Sequence, residues 1–318
     1  MALKDEIDAA YGRIRGLLRE TPLEESVLAR GVFLKLEHLQ HTGSFKFRGA
    51  SNKIAMLTAE QADAGVVAAS NGNHGMGVAA AARARGVEAE VFVSSQVARA
   101  KADRIERYGA RIRYAGDDPL TAELAARQAA VDSGRVFISP YNDLDVIAGQ
   151  GTIGVELVRQ FGEQCGAAPK AVFIAVGGGG LIAGIGSYFK SVSPETEIVG
   201  CWPENSPVLY ECMKAARIYD VPELPTISES TSGNLEPESV TLDVCRSVID
   251  RAVLVSEAEI LDAMRLVLDA EHWVVEGAAG VALAAWRKVA GEYEAQPLAI
   301  VLCGRNLSPG AMAALHSH

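Results

Sequence analysis

Short apolar runs alternate with helix-period segments along most of the chain, and this alternation constrains the fold more than any other feature. Gly65–Ala69, Ala89–Ser94, Arg111–Ala115 and Arg135–Ser139 read as strands, with Met76–Arg85, Val97–Tyr108 and Leu120–Asp132 as the helices between them. Two of these helices run into glycine, at Gly86 and Gly109, which suits the left-handed backbone just beyond a last turn. The second half repeats the theme with Val172–Val176, a run of four glycines, a helix through Phe189, and strands at Glu197–Cys201 and Leu298–Leu302. Ser256-Glu257-Ala258-Glu259 has the spacing of a capping box. Tyr219–Pro237, rich in Pro, Ser and Glu, reads as an irregular connection. Strand–helix repetition predicts an α/β fold with mostly parallel sheets covered by helices on both faces. Ligands of such sheets bind outside the carboxyl ends of the strands.

Composition narrows the function classes. A chain of 318 residues has room for about two domains and needs no disulfide or metal staple. Hydrophobic residues at 49% and charged residues at 22% exclude a largely disordered protein. The formal charge of −10 argues against nucleic-acid and membrane-surface partners, since both are polyanionic. A small anion remains possible where a helix N-terminus overrides the global field. The five cysteines are odd in number and form no CxxC pair, so they read as reduced thiols in a cytoplasmic protein. The amphipathic N-terminus lacks a signal-peptide core, and no run of 18 apolar residues occurs.

Four segments could carry chemistry. Gly177-Gly178-Gly179-Gly180-Leu181 follows an apolar strand and opens a helix, a place where backbone N–H groups can approach an anion closely. No GK[ST] follows, which argues against a P-loop; Gly178-x-Gly180-x-x-Ala183 with Glu204 downstream fits a dinucleotide fingerprint. Lys46 lies between Phe45 and Phe47 in Gly43–Ala50. It is either a strand-edge lysine with its head in water or a nucleophile whose pKa desolvation lowers. Ser70-Asn71-Gly72-Asn73-His74-Gly75 stands where a strand meets a helix and reads as a second anion cradle, suited to a carboxylate, or as an Asn-Gly turn with a helix cap. Cys303 follows the last strand in Cys303-Gly304-Arg305-Asn306, where it faces a cleft or behaves as a small buried hydrophobe.

Taken in order, Ser44–Ala50, Ser70–Gly75, Val146-Ile-Ala-Gly-Gln150-Gly-Thr152 and Gly177–Gly180 resemble the fold-type II pyridoxal-phosphate enzymes, in particular the serine/threonine dehydratase and serine racemase group. The resemblance runs from Thr21 to Asn306. It implies a two-lobed architecture like that of the tryptophan synthase β chain. Residues 53–144 would form a small lobe inserted into a large one built from 1–52 and 145–318. It implies pyridoxal 5′-phosphate as cofactor, held covalently by Lys46, packed by Phe45, and bound at its phosphate by Gly177, Gly178, Gly179, Gly180 and Leu181. Asn73 would bond the cofactor's ring oxygen, and Cys303 would face the ring nitrogen, where many relatives have Ser. Ser70, Asn71, Gly72, Asn73 and His74 would bind the substrate carboxylate. The implied reaction is dehydration and deamination of a β-hydroxy amino acid such as L-threonine or L-serine, by a homodimer.

Several departures qualify the resemblance. Asn71 occupies the position of a second serine that serves racemases as acid/base, and an amide cannot do proton transfer. Trp202 and Val208 stand where many relatives hold a divalent cation, and neither is a ligand for a hard cation, so no metal is expected. The chain ends soon after Asn306, so no regulatory domain is expected. Ser228–Gly233 and Cys303–Asn306 look more like the dehydratases of hydroxyectoine utilisation. Their substrate would be a hydroxylated diaminobutyrate, with both segments near its side chain. Arg305 would bind an acidic or acyl group or pair with a surface carboxylate. A nicotinamide-dependent oxidoreductase is the distant alternative, and it leaves Lys46 unexplained.

Overall fold

The computed structural model describes residues 3–294 and 296–316; residues 1, 2, 295, 317 and 318 lie outside the description, and with them the two ends of the expected large lobe. The strands are β1 (Leu23–Glu25), β2 (Val32–Lys35), β3 (Val66–Ala69), β4 (Ala89–Val93), β5 (Arg111–Tyr114), β6 (Val136–Phe137), β7 (Ala171–Ala175), β8 (Glu197–Pro203), β9 (Arg251–Val255) and β10 (Leu298–Val301). They form two sheets. One has six strands in the order β1-β2-β10-β7-β8-β9, the other four in the order β5-β4-β3-β6. Every pairing is parallel except β1 with β2. The fold is α/β, and the expected strands appear within a residue or two of their predicted limits.

Parallel sheets need apolar cover on both faces, and the larger one has it: β2, β7 and β10 are buried at every residue. The smaller sheet is thinner, and β5 is half-buried to exposed throughout. Helices start and stop where side chains permit. Ser256 and Glu259 form the expected capping box, and a second is built by Thr58 and Gln61. Gly86 ends its helix at φ +73°. Tyr219–Pro237 is irregular apart from one 3-10 turn at Glu229–Thr231. Among the described residues, no helix is long and apolar enough to cross a membrane.

The 22-residue helix Leu144–Cys165 is the main element that alternation did not reveal; its first half, Val146–Gly154, is buried on every side, with Gln150 and Thr152 buried among apolar residues. It crosses the Lys46–Ala55 helix at a glycine pair. A Cβ on Gly149 would lie 2.6 Å from the Gly49 Cα, so the two backbones touch. Beside that crossing is a fully buried ion network. Arg48 donates from Nε and Nη2 to Glu37 at 2.8 and 2.7 Å, and from Nη1 and Nη2 to Glu156 at 2.7 and 2.8 Å. Its remaining donor reaches the Thr152 hydroxyl at 3.2 Å. Lys35 donates to Glu156 at 2.6 Å, to Gln160 at 2.9 Å and to the Thr21 carbonyl at 2.7 Å. Two cations thus neutralise two anions in direct contact. The network fixes the helix that begins at Lys46 against the larger sheet.

Candidate active site

Each sheet reverses its strand order once, and both reversals face the same cleft. In the larger sheet β7 lies between β8 and β10; in the smaller, β3 lies between β4 and β6. Crevices at such switch points are where open α/β sheets hold ligands. The carboxyl ends of β7 and β10 lead to Gly177–Gly180 and Cys303; those of β3 and β6 lead to Ser70–Asn73 and to Pro140–Tyr141. Two adjoining cavities lie there. One of about 40 Å³ is lined by Phe45, Tyr141, Gly177–Leu181, Thr231 and Cys303. The other, about 460 Å³, is lined by Ser70–His74, Lys101, Glu229, Ser232 and Ser308 among others. Lys46, Asn73 and Ser230 line both.

Lys46 is the first residue of its helix, not a strand-edge residue. The preceding turn is tied to the end of β10 by Phe45 N donating to the Cys303 carbonyl at 3.1 Å and by a bridge between Ser44 and Gly304. Lys46 Nζ donates to the Pro140 carbonyl at 2.8 Å and lies 5.1 Å from the centre of the Phe45 ring. The side chain is half-buried, and both cavities open onto it. Desolvation brings its pKa down to about 8, with Cys303 and Glu276 opposing the shift. The Cys303 thiol is itself pushed well up by burial, so it stays protonated.

The glycine loop has no room for side chains. A Cβ on Gly177 would lie 2.8 Å from the Thr231 Cα, and one on Gly178 would lie 2.4 Å from the Tyr141 ring. Gly179 takes φ +87°, where a side chain is strained. It caps the Gly180–Val192 helix with no side-chain bond to the first-turn N–H groups. A bare cradle at a helix N-terminus is what a phosphate requires. Leu181 is buried in the same first turn.

The asparagine loop divides its work. The helix here begins at Asn73, earlier than its apolar period indicates. Asn71 donates to the Ser94 hydroxyl at 3.2 Å and accepts from Ser94 N at 3.1 Å, so its amide ties the loop to the end of β4. The Ser70 hydroxyl accepts from Gly72 N at 3.1 Å. His74 is buried with Nε2 at 2.8 Å from the Ile138 carbonyl. Burial and nearby Lys46 lower its pKa to about 3, so the ring is neutral and structural, while its backbone stays in the loop. Asn73 alone turns its amide to the cleft centre, donating to both Glu276 oxygens at 2.8 and 2.9 Å and accepting from Asn306 Nδ2 at 2.7 Å.

Other expected residues fall elsewhere. Glu229, Ser230, Ser232 and Gly233 line the larger cavity, as expected of that segment, whereas Ser228 is buried against Thr231. Arg305 does not pair with a carboxylate among the described residues. It is exposed and lines a separate cavity of about 290 Å³ with His41, Arg104 and Arg107. Glu204, the acidic residue of the dinucleotide fingerprint, is exposed beside Lys288 and lines neither cavity. Trp202 and Val208 are buried in the apolar core. Sequence reasoning missed Glu276 and Tyr141, and it named Asn306 only as part of its segment, without a role. For Glu276 a signal existed: it is the one charged residue within the stretch Trp273–Trp286.

Comparison with known proteins agrees with this geometry. The family described as pyridoxal-phosphate dependent enzyme matches residues 14–304. The L-threonine ammonia-lyase of Thermotoga maritima is 35% identical over 312 residues, spanning 96% of this chain and 76% of that one. The processed form of threonine deaminase isoform 2 from Solanum lycopersicum superposes with a TM-score of 0.90 at 29% identity, covering 98% of this chain and 93% of that one. Maize serine racemase gives 0.89 at 29% identity, covering 97% and 95%.

Proposed function

The chain belongs to the pyridoxal-phosphate-dependent enzymes, and from that premise we propose that it dehydrates and deaminates a β-hydroxy amino acid, L-threonine or L-serine, to a 2-oxo acid and ammonia. It is a lyase, and its cofactor is pyridoxal 5′-phosphate. One observation carries the reading: Lys46, the bare glycine loop and the asparagine loop meet on two adjoining cavities. The residues fit the cofactor. Gly177–Gly180 and Leu181 would hold its phosphate through N–H groups, Phe45 would pack its ring, and Asn73 and Cys303 would face the ring oxygen and nitrogen. When bound, the cofactor supplies the electron sink for charge developing at the substrate's α-carbon.

The chain's own residues supply the rest. Backbone N–H groups of Asn71, Asn73 and His74 orient the substrate carboxylate, those of Ser70 and Gly72 being taken by the Phe92 carbonyl and the Ser70 hydroxyl. Lys46 Nζ, with its pKa near 8, takes the α-proton as general base. The β C–O bond then breaks, and the hydroxyl leaves with a proton as water. The released enamine tautomerises and is hydrolysed by water to the 2-oxo acid and ammonia. The neutral Cys303 thiol is a weak hydrogen-bond partner, which suits elimination over transamination. Proton transfer on the opposite face has no donor at Asn71, whose amide is engaged by Ser94, so dehydration is favoured over racemisation. The relatives described above are named for threonine and serine, which lends no support to a hydroxylated diaminobutyrate as substrate.

Three further readings belong to this proposal. The chain is two interleaved lobes, 53–144 within 1–52 plus 145–318; in support, β3–β6 fall inside the insert. Phe47, Ala50 and Ile54 nonetheless join that sheet's core. The protein is cytoplasmic, consistent with five free cysteines. It forms a homodimer, as the family resemblance implies.

The test is spectroscopic and then chemical. Protein reconstituted with pyridoxal phosphate should absorb in the violet, and borohydride should fix the label on Lys46. L-Threonine, L-serine, threo-3-hydroxyaspartate, phenylserine and a hydroxylated diaminobutyrate are then compared for ammonia release. Protein that takes up no cofactor, or labels elsewhere, rejects the proposal.

A further inference from the structure

Glu276 is the N-cap residue of the Gly277–Val289 helix, yet its side chain makes no capping bond. A carboxylate at that position ordinarily turns back to the free N–H groups of the first turn. This one points into the cleft instead and is only 6% exposed. It accepts from Asn73 Nδ2 at 2.8 and 2.9 Å, from the Ser230 hydroxyl at 2.7 Å and from Asn306 N at 2.9 Å. No ion pair to it is formed among the described residues. A buried carboxylate without a cation is costly, and burial raises its pKa against the pull of those donors. Its partners come from three places: the loop after β3, the 3-10 turn at Glu229–Thr231, and the segment after β10. Gly304 is kept bare beside it, since a Cβ there would lie 2.6 Å from Glu276 Oε2.

Resting on the cofactor reading above, we propose that Glu276 is a positioning residue that sets which atom of the Asn73 amide faces the cofactor. The argument is one of donor and acceptor inventory. Both carboxyl oxygens of Glu276 act as acceptors, Oε1 from the Ser230 hydroxyl and Oε2 from Asn306 N, so the Asn73 amide turns its donor, Nδ2, toward them. Asn306 Nδ2, itself held by the Thr42 carbonyl at 3.0 Å, takes Oδ1 on the other side. One Nδ2 hydrogen shared between the two carboxylate oxygens leaves the second directed to the cavity, as a donor to an anionic ring oxygen. The same carboxylate fixes Ser230, which lines both cavities. Glu276 thus reaches the cofactor through other side chains and does not itself touch reacting atoms.

The experiment is a double-mutant cycle on the full chain with Glu276→Gln and Asn73→Ala. The readouts are the dissociation constant of pyridoxal phosphate and the ratio of its violet to near-ultraviolet bands. Glutamine keeps one acceptor and sets a donor against Asn73 or Ser230. The expected result is cofactor binding weakened on the order of ten- to a hundredfold, the range for outer partners of directly ligating side chains, with an altered band ratio. In the Asn73→Ala background the same substitution should change both far less. Equal effects in both backgrounds, or none in either, overturn the proposal. If Glu276→Gln abolishes cooperative unfolding, the cycle is run with Glu276→Asp under the same criteria. Wild-type protein that forms no violet band at all would instead reject the cofactor reading.

Discussion

Gly178→Ala tests the bare cradle most directly. The added methyl would lie 2.4 Å from Tyr141 Cγ, 2.5 Å from Cδ1 and 2.8 Å from Cδ2, against roughly 3.5–4.0 Å for carbon atoms in contact. The struck atoms are the root of the ring, so no free rotation relieves them. At its far end the ring is pinned by Glu236 N donating to the Tyr141 hydroxyl at 2.8 Å. Gly178 is not among the positive-φ residues, so the alanine backbone is unstrained and the whole effect is contact. Ring or loop must shift by about 1 Å. Overpacking of this kind costs about 1–3 kcal/mol of stability. A loop N–H displaced that far loses its hydrogen bond to an anion, worth about 1.5–3 kcal/mol, or roughly ten- to 150-fold in cofactor dissociation constant. Spectrophotometric titration with pyridoxal phosphate and thermal unfolding read the two effects separately. Gly162→Ala is the control, because nothing lies within 4 Å of its Cβ. In a Tyr141→Ala background, Gly178→Ala should cost much less. Wild-type cofactor affinity in the Gly178→Ala variant would refute the reasoning.

Two further outcomes are expected. Arg48→Leu leaves Glu37 with the Thr21 hydroxyl and Glu156 with Lys35. An uncompensated buried charge should then cost about 3–5 kcal/mol in urea unfolding; Glu37→Gln added to it should recover part of the loss, and a cost below about 1 kcal/mol would mean the network is hydrated. Covalent capture of cofactor by Lys46 needs the free amine, so with a pKa of about 8 its rate should rise about tenfold per unit below that pH and level off above it. A rise continuing to the ordinary lysine value of about 10.4 would show that Lys46 is not desolvated.

Much of the fold was legible because parallel strands buried on both faces must be short, apolar and separated by helices. β7 and β10 could hardly be anything else. The Leu144–Cys165 helix was hidden for the converse reason. It packs against the helices Leu3–Ile14, Lys46–Ala55 and Gly180–Val192, and its first half, Val146–Gly154, is buried on every side, so the helical period shows only in its second half, where Arg159, Glu163 and Gln164 are exposed. Site residues were legible where the chemistry restricts residue type locally. Four consecutive glycines and a lysine between two aromatics are rare enough to be noticed singly.

Glu276 was not legible because its function depends on where its neighbours end up. Asn73, Ser230 and Asn306 are 203, 46 and 30 residues away in sequence, and no spacing rule links them. The sequence does carry a weaker sign. A single acid within Trp273–Trp286 is either exposed at a helix end or buried at a cost, and an N-cap position offers it the first option. Only the structure shows that the first option was declined. The cap geometry is present, with Ala279 N and Gly280 N bonded to the Glu276 carbonyl, while the carboxylate turns away from the helix. That choice exchanges a common stabilising contact for a buried carboxyl group with no cation beside it among the described residues. Such an exchange destabilises the chain locally, and what it gains among the described residues is a fixed Asn73 amide, with Ser230 and the Asn306 backbone held beside it, at the meeting point of both sheets.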